Sequence, residues 1–114
     1  LGTSKGEGIM EQTASVSNEG GPADGVVTRP VVVANQLGLH ARPAGVLAQE
    51  AQKFVSEIYF EVDGQRVDAK SILDVLTLAA AQGTRLHLHA VGDDAEAALD
   101  RIETLFKERF GEGK

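Results

Sequence analysis

Gly38-Leu39-His40-Ala41-Arg42-Pro43-Ala44 stands between an apolar run and a helix-forming run, and its reading decides how the rest of the chain is arranged. Proline is favoured in the first helical turn, where its missing N–H would have had no intrahelical partner, so Pro43 places a helix start beside His40. A histidine just before a helix can present a ring nitrogen to an incoming phosphoryl group. The first free backbone N–H groups of that helix, together with a guanidinium, can hold the phosphate oxygens. Arg42 supplies that cation, so the stretch carries one nucleophile, one fixed charge and one helix terminus.

Working outward, Val31-Val32-Val33-Ala34 is a β-branched run preceded by Pro30 and predicts the first strand. Asn35, Gln36 and Gly38 turn the chain toward His40. From Ala41 to Phe54, apolar Ala44, Leu47, Ala48, Ala51 and Phe54 recur at three- and four-residue steps, the stripe of an amphipathic helix. Glu57 to Val62 alternates as a strand, Asp63-Gly64 is a tight-turn signal, and Gln65 to Asp68 is the return strand. Ser71, with Asp74 three residues on, has capping spacing and opens a second helix that Gln82-Gly83 ends. Arg85 to Val91 alternates as a fourth strand with one polar face. Asp93-Asp94 opens a last helix whose stripe is Ala95, Ala98, Leu99, Ile102, Leu105 and Phe106. The order β-α-β-β-α-β-α predicts an α+β open-faced sandwich, three helices on one face of a four-stranded antiparallel sheet.

The 114 residues suit one domain, and 42% hydrophobic residues with 4% aromatic predict a small aliphatic core. Residues 1–29, rich in Gly, Ser, Glu and Thr, are expected to form a flexible extension or linker, residues 30–110 the domain, and residues 111–114 a tail. The absence of cysteine excludes a disulfide framework and a thiolate metal site. No apolar run approaches the ~20 residues that span a bilayer and no signal pattern opens the chain, so a soluble, cytoplasmic protein is expected without membrane insertion. A formal net charge of -6 argues against nucleic acid as a partner. Gly-rich nucleotide loops, H-E-x-x-H and G-x-S-x-G are all missing, which removes nucleotide, zinc-protease and hydrolase chemistry. His87 and His89 fall on one side of the fourth strand but have no third ligand near them in sequence, so neither a metal nor a cofactor is expected.

The Gly38 to Ala44 motif, with Lys70-Ser71-Ile72-Leu73, Gln82-Gly83-Thr84 and Gly92-Asp93-Asp94-Ala95, resembles the signatures of HPr, the histidine phosphocarrier family of the phosphoenolpyruvate-dependent sugar phosphotransferase system. The likeness runs from about Val31 to Phe110. It implies that His40 takes a phosphoryl group on Nδ1 from enzyme I and passes it to sugar-specific IIA domains, with Arg42 assisting. Such a protein is a carrier in a relay rather than an enzyme with its own small-molecule substrate. The resemblance also implies a regulatory phosphorylation at Ser71 by a serine kinase/phosphorylase, and a partner interface built from Ala41, Pro43, Ile72 and Leu73. A carrier that exchanges partners is expected to be a monomer with modest interfaces. The alternative is a regulatory HPr-like binding module controlled through Ser71 rather than by transfer; His40 with Arg42 speaks for the carrier. The opening at Leu1, the extension and the Gly111-Glu112-Gly113 tail are compatible with a free-standing HPr or an HPr domain of a larger multiphosphoryl transfer protein.

Overall fold

Four strands and three α-helices appear in a computed structural model that describes residues 26–112. They are strand β1 (Val26–Val32), helix α1 (Ala41–Ala51), strands β2 (Glu57–Val62) and β3 (Gln65–Asp68), helix α2 (Ile72–Thr77), strand β4 (Arg85–Val91) and helix α3 (Ala95–Lys107). The strands form one sheet in the order β1-β4-β2-β3, with every neighbouring pair antiparallel. This is the expected α+β open-faced sandwich. Strand alternation sends Val31, Leu86, Leu88, Ala90, Ile58, Phe60 and Val67 to the covered face, where they join Leu47 of α1, Val75 of α2 and Leu99, Ile102 and Phe106 of α3 in one core. Full burial of each such large aliphatic or aromatic side chain contributes about 1.5–3 kcal/mol.

The first strand begins five residues earlier than its β-branched run suggests. Pro30 lies inside β1 opposite His87, and it is tolerated because, among the described residues, β1 is an edge strand hydrogen-bonded only to β4. Residues 26–29, expected in the extension, therefore belong to the sheet; residues 1–25 lie outside the described residues. Arg29 fastens this part of β1 to α3, bonding Asp100, Glu96 at 3.1 Å and Glu103 at 3.2 Å.

Both shorter helices stop before their apolar patterns do. α1 ends at Ala51 rather than Phe54. α2 ends at Thr77 because its last N–H groups shift to three-residue bonds, Leu78 to Val75 and Ala79 to Leu76, and Ala79 enters the left-handed region at φ 48°. The expected capping at Ser71 is half realised. Its hydroxyl accepts from Asp74 N–H at 3.2 Å, but the Asp74 carboxylate meets Asp68 N–H at 3.4 Å instead of reaching back to Ser71. Asp94 does not cap α3 with its side chain. Its carboxylate accepts from the Val55 and Ser56 N–H groups, both at 2.9 Å, and from the Ser56 hydroxyl, which ties the α1–β2 loop to the start of α3.

The end of the chain departs most from expectation. After α3, Arg109, Phe110 and Gly111 all take positive φ (54°, 56° and 76°) and turn the chain back toward the domain. Two non-glycine residues in this region cost about 1–2 kcal/mol each. Phe110 offsets that cost by packing edge-on against Phe106 at 5.1 Å, which itself meets Phe60 edge-on at 6.1 Å. Gly111 and Glu112, expected to open a tail, instead turn onto the domain, where Glu112 is held by the side chains of Asn35 and His40.

Candidate functional site

His40 is the N-cap of α1, with extended backbone (φ -76°, ψ -172°), and its carbonyl accepts the first helical bond from Ala44 N–H at 3.0 Å. Its ring does not cap the helix, so the imidazole is available for other contacts. The N–H groups of Ala41 and Arg42, in the first turn, have no intrahelical carbonyl to bond, and Pro43 has no N–H at all. Gly38 makes the approach to His40 possible. At φ 73° it passes so close to the segment after α2 that a Cβ would sit 2.5 Å from the Ala80 carbonyl oxygen, which Leu39 N–H bonds at 2.9 Å.

Two residues that the motif does not contain complete the site. The His40 Nε2 atom lies 2.7 Å from a Glu112 carboxylate oxygen, and the other oxygen of that carboxylate accepts from Asn35 Nδ2 at 3.0 Å. Asn35 Nδ2 also donates to the Gly38 carbonyl at 2.7 Å. Both neighbours of Nδ2 are acceptors, so the orientation of the buried Asn35 amide is dictated by them. Burial pushes the Glu112 carboxyl up, but the bonds from Asn35 and His40 and the charge of Arg42 together hold it below the usual carboxylate range. At neutral pH it is ionised and can only accept, so the hydrogen between it and His40 resides on Nε2. In the neutral ring Nδ1 then carries the lone pair, and no described residue bonds Nδ1.

Arg42 is exposed and lines an open cleft of about 410 Å³ with Gln36, Leu37, Gly111 and Glu112. The predicted residues are not all brought together here. α2 runs back along α1: Lys70, just before it, bonds the Phe54 carbonyl at 2.8 Å and receives Gln52 at its own carbonyl at 2.9 Å, while Ala80, past its end, meets Gly38 and Leu39. Ser71 and its neighbours therefore stand toward the far end of α1 from His40, roughly 16 Å along a helix of that length. Ile72 and Leu73 are exposed (45% and 75%), as an interface requires, and Ala41 is exposed as well. Pro43 is not: it is fully buried under the first turn of α1 and cannot meet a partner. Leu37, 71% exposed, is the apolar residue that lines the cleft with Arg42 and Glu112.

Asn35 reads in sequence as a turn residue and Glu112 as tail. The signal that bears on Glu112 is Phe110, an apolar residue four positions after Phe106 and so on the helix stripe that meets the core.

The family model described as "PTS HPr component phosphorylation site" matches residues 27–108. The chain belongs to the HPr family. Members are phosphocarriers of the sugar phosphotransferase system, and that is the function of this chain. Phosphocarrier protein HPr of Cupriavidus necator is 42% identical over 89 residues, 78% of this chain and 100% of that protein. The HPr-like protein Crh of Bacillus subtilis is 40% identical over 83 residues, 73% of this chain and 98% of that protein. Among solved structures, HPr from Thermoanaerobacter tengcongensis superposes with a TM-score of 0.73 at 41% identity, covering 75% of this chain and 97% of that one. Another structure from the same organism, described as an HPr dimer, superposes at 0.62 with 43% identity, covering 72% and 94%. The HPr role involves a phosphoryl donor, enzyme I, and IIA components as acceptors. No helix among the described residues is long and apolar enough to cross a membrane.

Proposed function

We propose that His40 is the phosphoryl-accepting residue of this HPr and that the reacting atom is Nδ1. The observation that carries this reading is the occupancy of the ring: Nε2 is held by Glu112 at 2.7 Å, while no described residue bonds Nδ1 at the start of α1. Transfer between proteins needs positioning and charge stabilisation more than covalent machinery. The first free N–H groups of α1 and the Arg42 guanidinium supply both, meeting the phosphate oxygens as they arrive. Enzyme I as donor and sugar-specific IIA domains as acceptors would dock in turn on Ala41 and Leu37 around His40, and on Ile72 and Leu73 along the exposed side of α2. Leu37 and Leu73 are large apolar groups exposed at 71% and 75%, which suits repeated weak docking. The protein works as a cytoplasmic monomer on this reading, because a surface that serves two partners in turn must be open.

The test is to mix the protein with enzyme I and phosphoenolpyruvate and look for an acid-labile, base-stable phosphate. Labelling of the wild type and none of His40→Ala is the expected result; undiminished labelling of His40→Ala sinks the assignment. Size-exclusion with light scattering at working concentration tests the monomer.

A second reading, a regulatory module switched at Ser71, is favoured by the likeness to the HPr-like protein Crh. The Ser71 hydroxyl caps α2 next to exposed Ile72, so a phosphate there would suit the helix dipole and place about two negative charges on the docking face. A mass increase with a serine kinase and ATP that disappears in Ser71→Ala supports it; no increase removes it.

A further inference from the structure

We infer that Glu112 is a positioning residue for phosphoryl transfer, delivered to His40 by the left-handed turn after α3 and oriented by Asn35. The inference rests on the reading of His40 as the acceptor and adds to it a residue outside the motif.

Three observations converge on it. Glu112 is nearly covered (side chain 12% exposed), whereas a carboxylate in a free tail would stand in water. Its two oxygens have separate donors, His40 Nε2–H and Asn35 Nδ2–H, so the group is fixed in orientation as well as in place. The segment that brings it there takes three successive left-handed residues, two of which are not glycine, and is pinned by Phe110 on Phe106. Non-glycine residues in the left-handed region persist where their surroundings hold them there, and such strain concentrates at functional sites.

The chemistry explains what the carboxylate does. In the accepting step the Nδ1 lone pair attacks phosphorus, an N–P bond forms, and the donor's bond to phosphorus breaks with its electron pair leaving on the donor. Nε2 keeps its proton throughout. The ring of His40 therefore goes from neutral imidazole to an imidazolium that bears the phosphoryl group, and its new positive charge develops 2.7 Å from the Glu112 carboxylate. The forward step to an acceptor reverses this. Glu112 thus selects the tautomer that can attack and opposes the charge that attack creates, while Arg42, the other charged group acting on Glu112, faces the same cleft and is left to the phosphate oxygens.

Glu112→Gln separates these roles from packing. Glutamine is nearly isosteric but has one acceptor oxygen; if that oxygen takes Nε2–H, its amide N–H groups face those of Asn35, so one of the two bonds is lost. The expected result is a fall of about tenfold in the rate of phosphoryl acceptance from enzyme I, the scale seen when a group that orients a histidine is removed. Nitrogen-15 chemical shifts should show the neutral His40 ring losing its Nε2–H preference, and Glu112→Asp, which keeps the charge, should recover part of both. An unchanged rate and tautomer in Glu112→Gln overturns the inference. So does an equal loss in both variants with the tautomer unmoved, which would be packing alone. Failure of the wild type to label at all would instead reject the reading of His40 itself.

Discussion

The described residues hold two histidine–carboxylate pairs of nearly equal length. His40 Nε2 meets Glu112 at 2.7 Å, and His89 Nε2 meets Glu61 at 2.8 Å. His89 sits on the uncovered face of the sheet, where strand register sets its neighbours: Thr28 is directly opposite on β1, and its hydroxyl lies 3.2 Å from His89 Nδ1. Both nitrogens of that ring are engaged. His40 lies at a helix start near a cleft and an arginine, and among the described residues only its Nε2 is engaged. If His40 is the acceptor proposed above, a carboxylate partner alone does not set a ring apart. What differs is that no described residue bonds Nδ1 of His40, which stands at the electropositive start of α1.

The largest test of that comparison is to delete each ring. His40→Ala is expected to abolish phosphoryl labelling, and His89→Ala to leave its rate within about twofold, since a residue distant from the reacting atoms acts only through stability. Loss of labelling in His89→Ala with the fold intact, judged by circular dichroism, would erase the distinction.

The two pairs also differ in what positions them. His40 depends on a loop that must pass close to Ala80, so Gly38→Ala, with a Cβ at 2.5 Å from that carbonyl and φ at 73°, should cost about 2–4 kcal/mol in urea unfolding. Amide shifts should move around His40 and stay put around His89. Gly45, inside α1 with open space around its would-be Cβ, is the control: Gly45→Ala should stabilise by about 0.5–1 kcal/mol through helix propensity.

A third carboxylate, Asp94, has no histidine and serves structure alone. The Ser56 hydroxyl first, and then the Val55 N–H, hold its carboxyl below the ordinary value. The folded chain thus resists protonation there, so this stabilisation is complete above the unfolded Asp value of about 3.9 and is lost as pH falls through the lower folded value. Asp94→Asn should lower Tm at pH 7, and the gap from wild type should narrow as pH drops toward 2. A gap that is constant with pH would show that the carboxylate's charge contributes nothing.

The smallest effect belongs to Glu61→Gln. That pair is partly exposed on the open sheet face, so its loss should change stability by less than about 1 kcal/mol and leave phosphoryl transfer unaltered.

Local patterns carried most of the fold into view. The stripe Ala95, Ala98, Leu99, Ile102, Leu105 and Phe106 is buried in full along α3, because helical period and core contact are the same constraint. Alternation in β2 and β4 likewise announced which side chains face the core. Boundaries were less legible where the deciding partner is remote: Pro30 reads as a strand breaker until β1 proves to be an edge, and α2 looks longer than it is until Ala79 turns left-handed.

By itself, then, the sequence determined the α+β order, the helix start at His40 and the presence of Arg42 beside it, since proline chemistry, periodicity and motif spacing act over a few residues. Only the tertiary structure decided that Pro43 is buried, that Ser71 stands at the other end of α1, and that Asn35 and Glu112 hold the ring of His40. Those outcomes join residues as far apart as 40 and 112, and the contact between them depends on how Phe110 packs on Phe106. No local pattern encodes such a contact, because the core that creates it is assembled from every element at once.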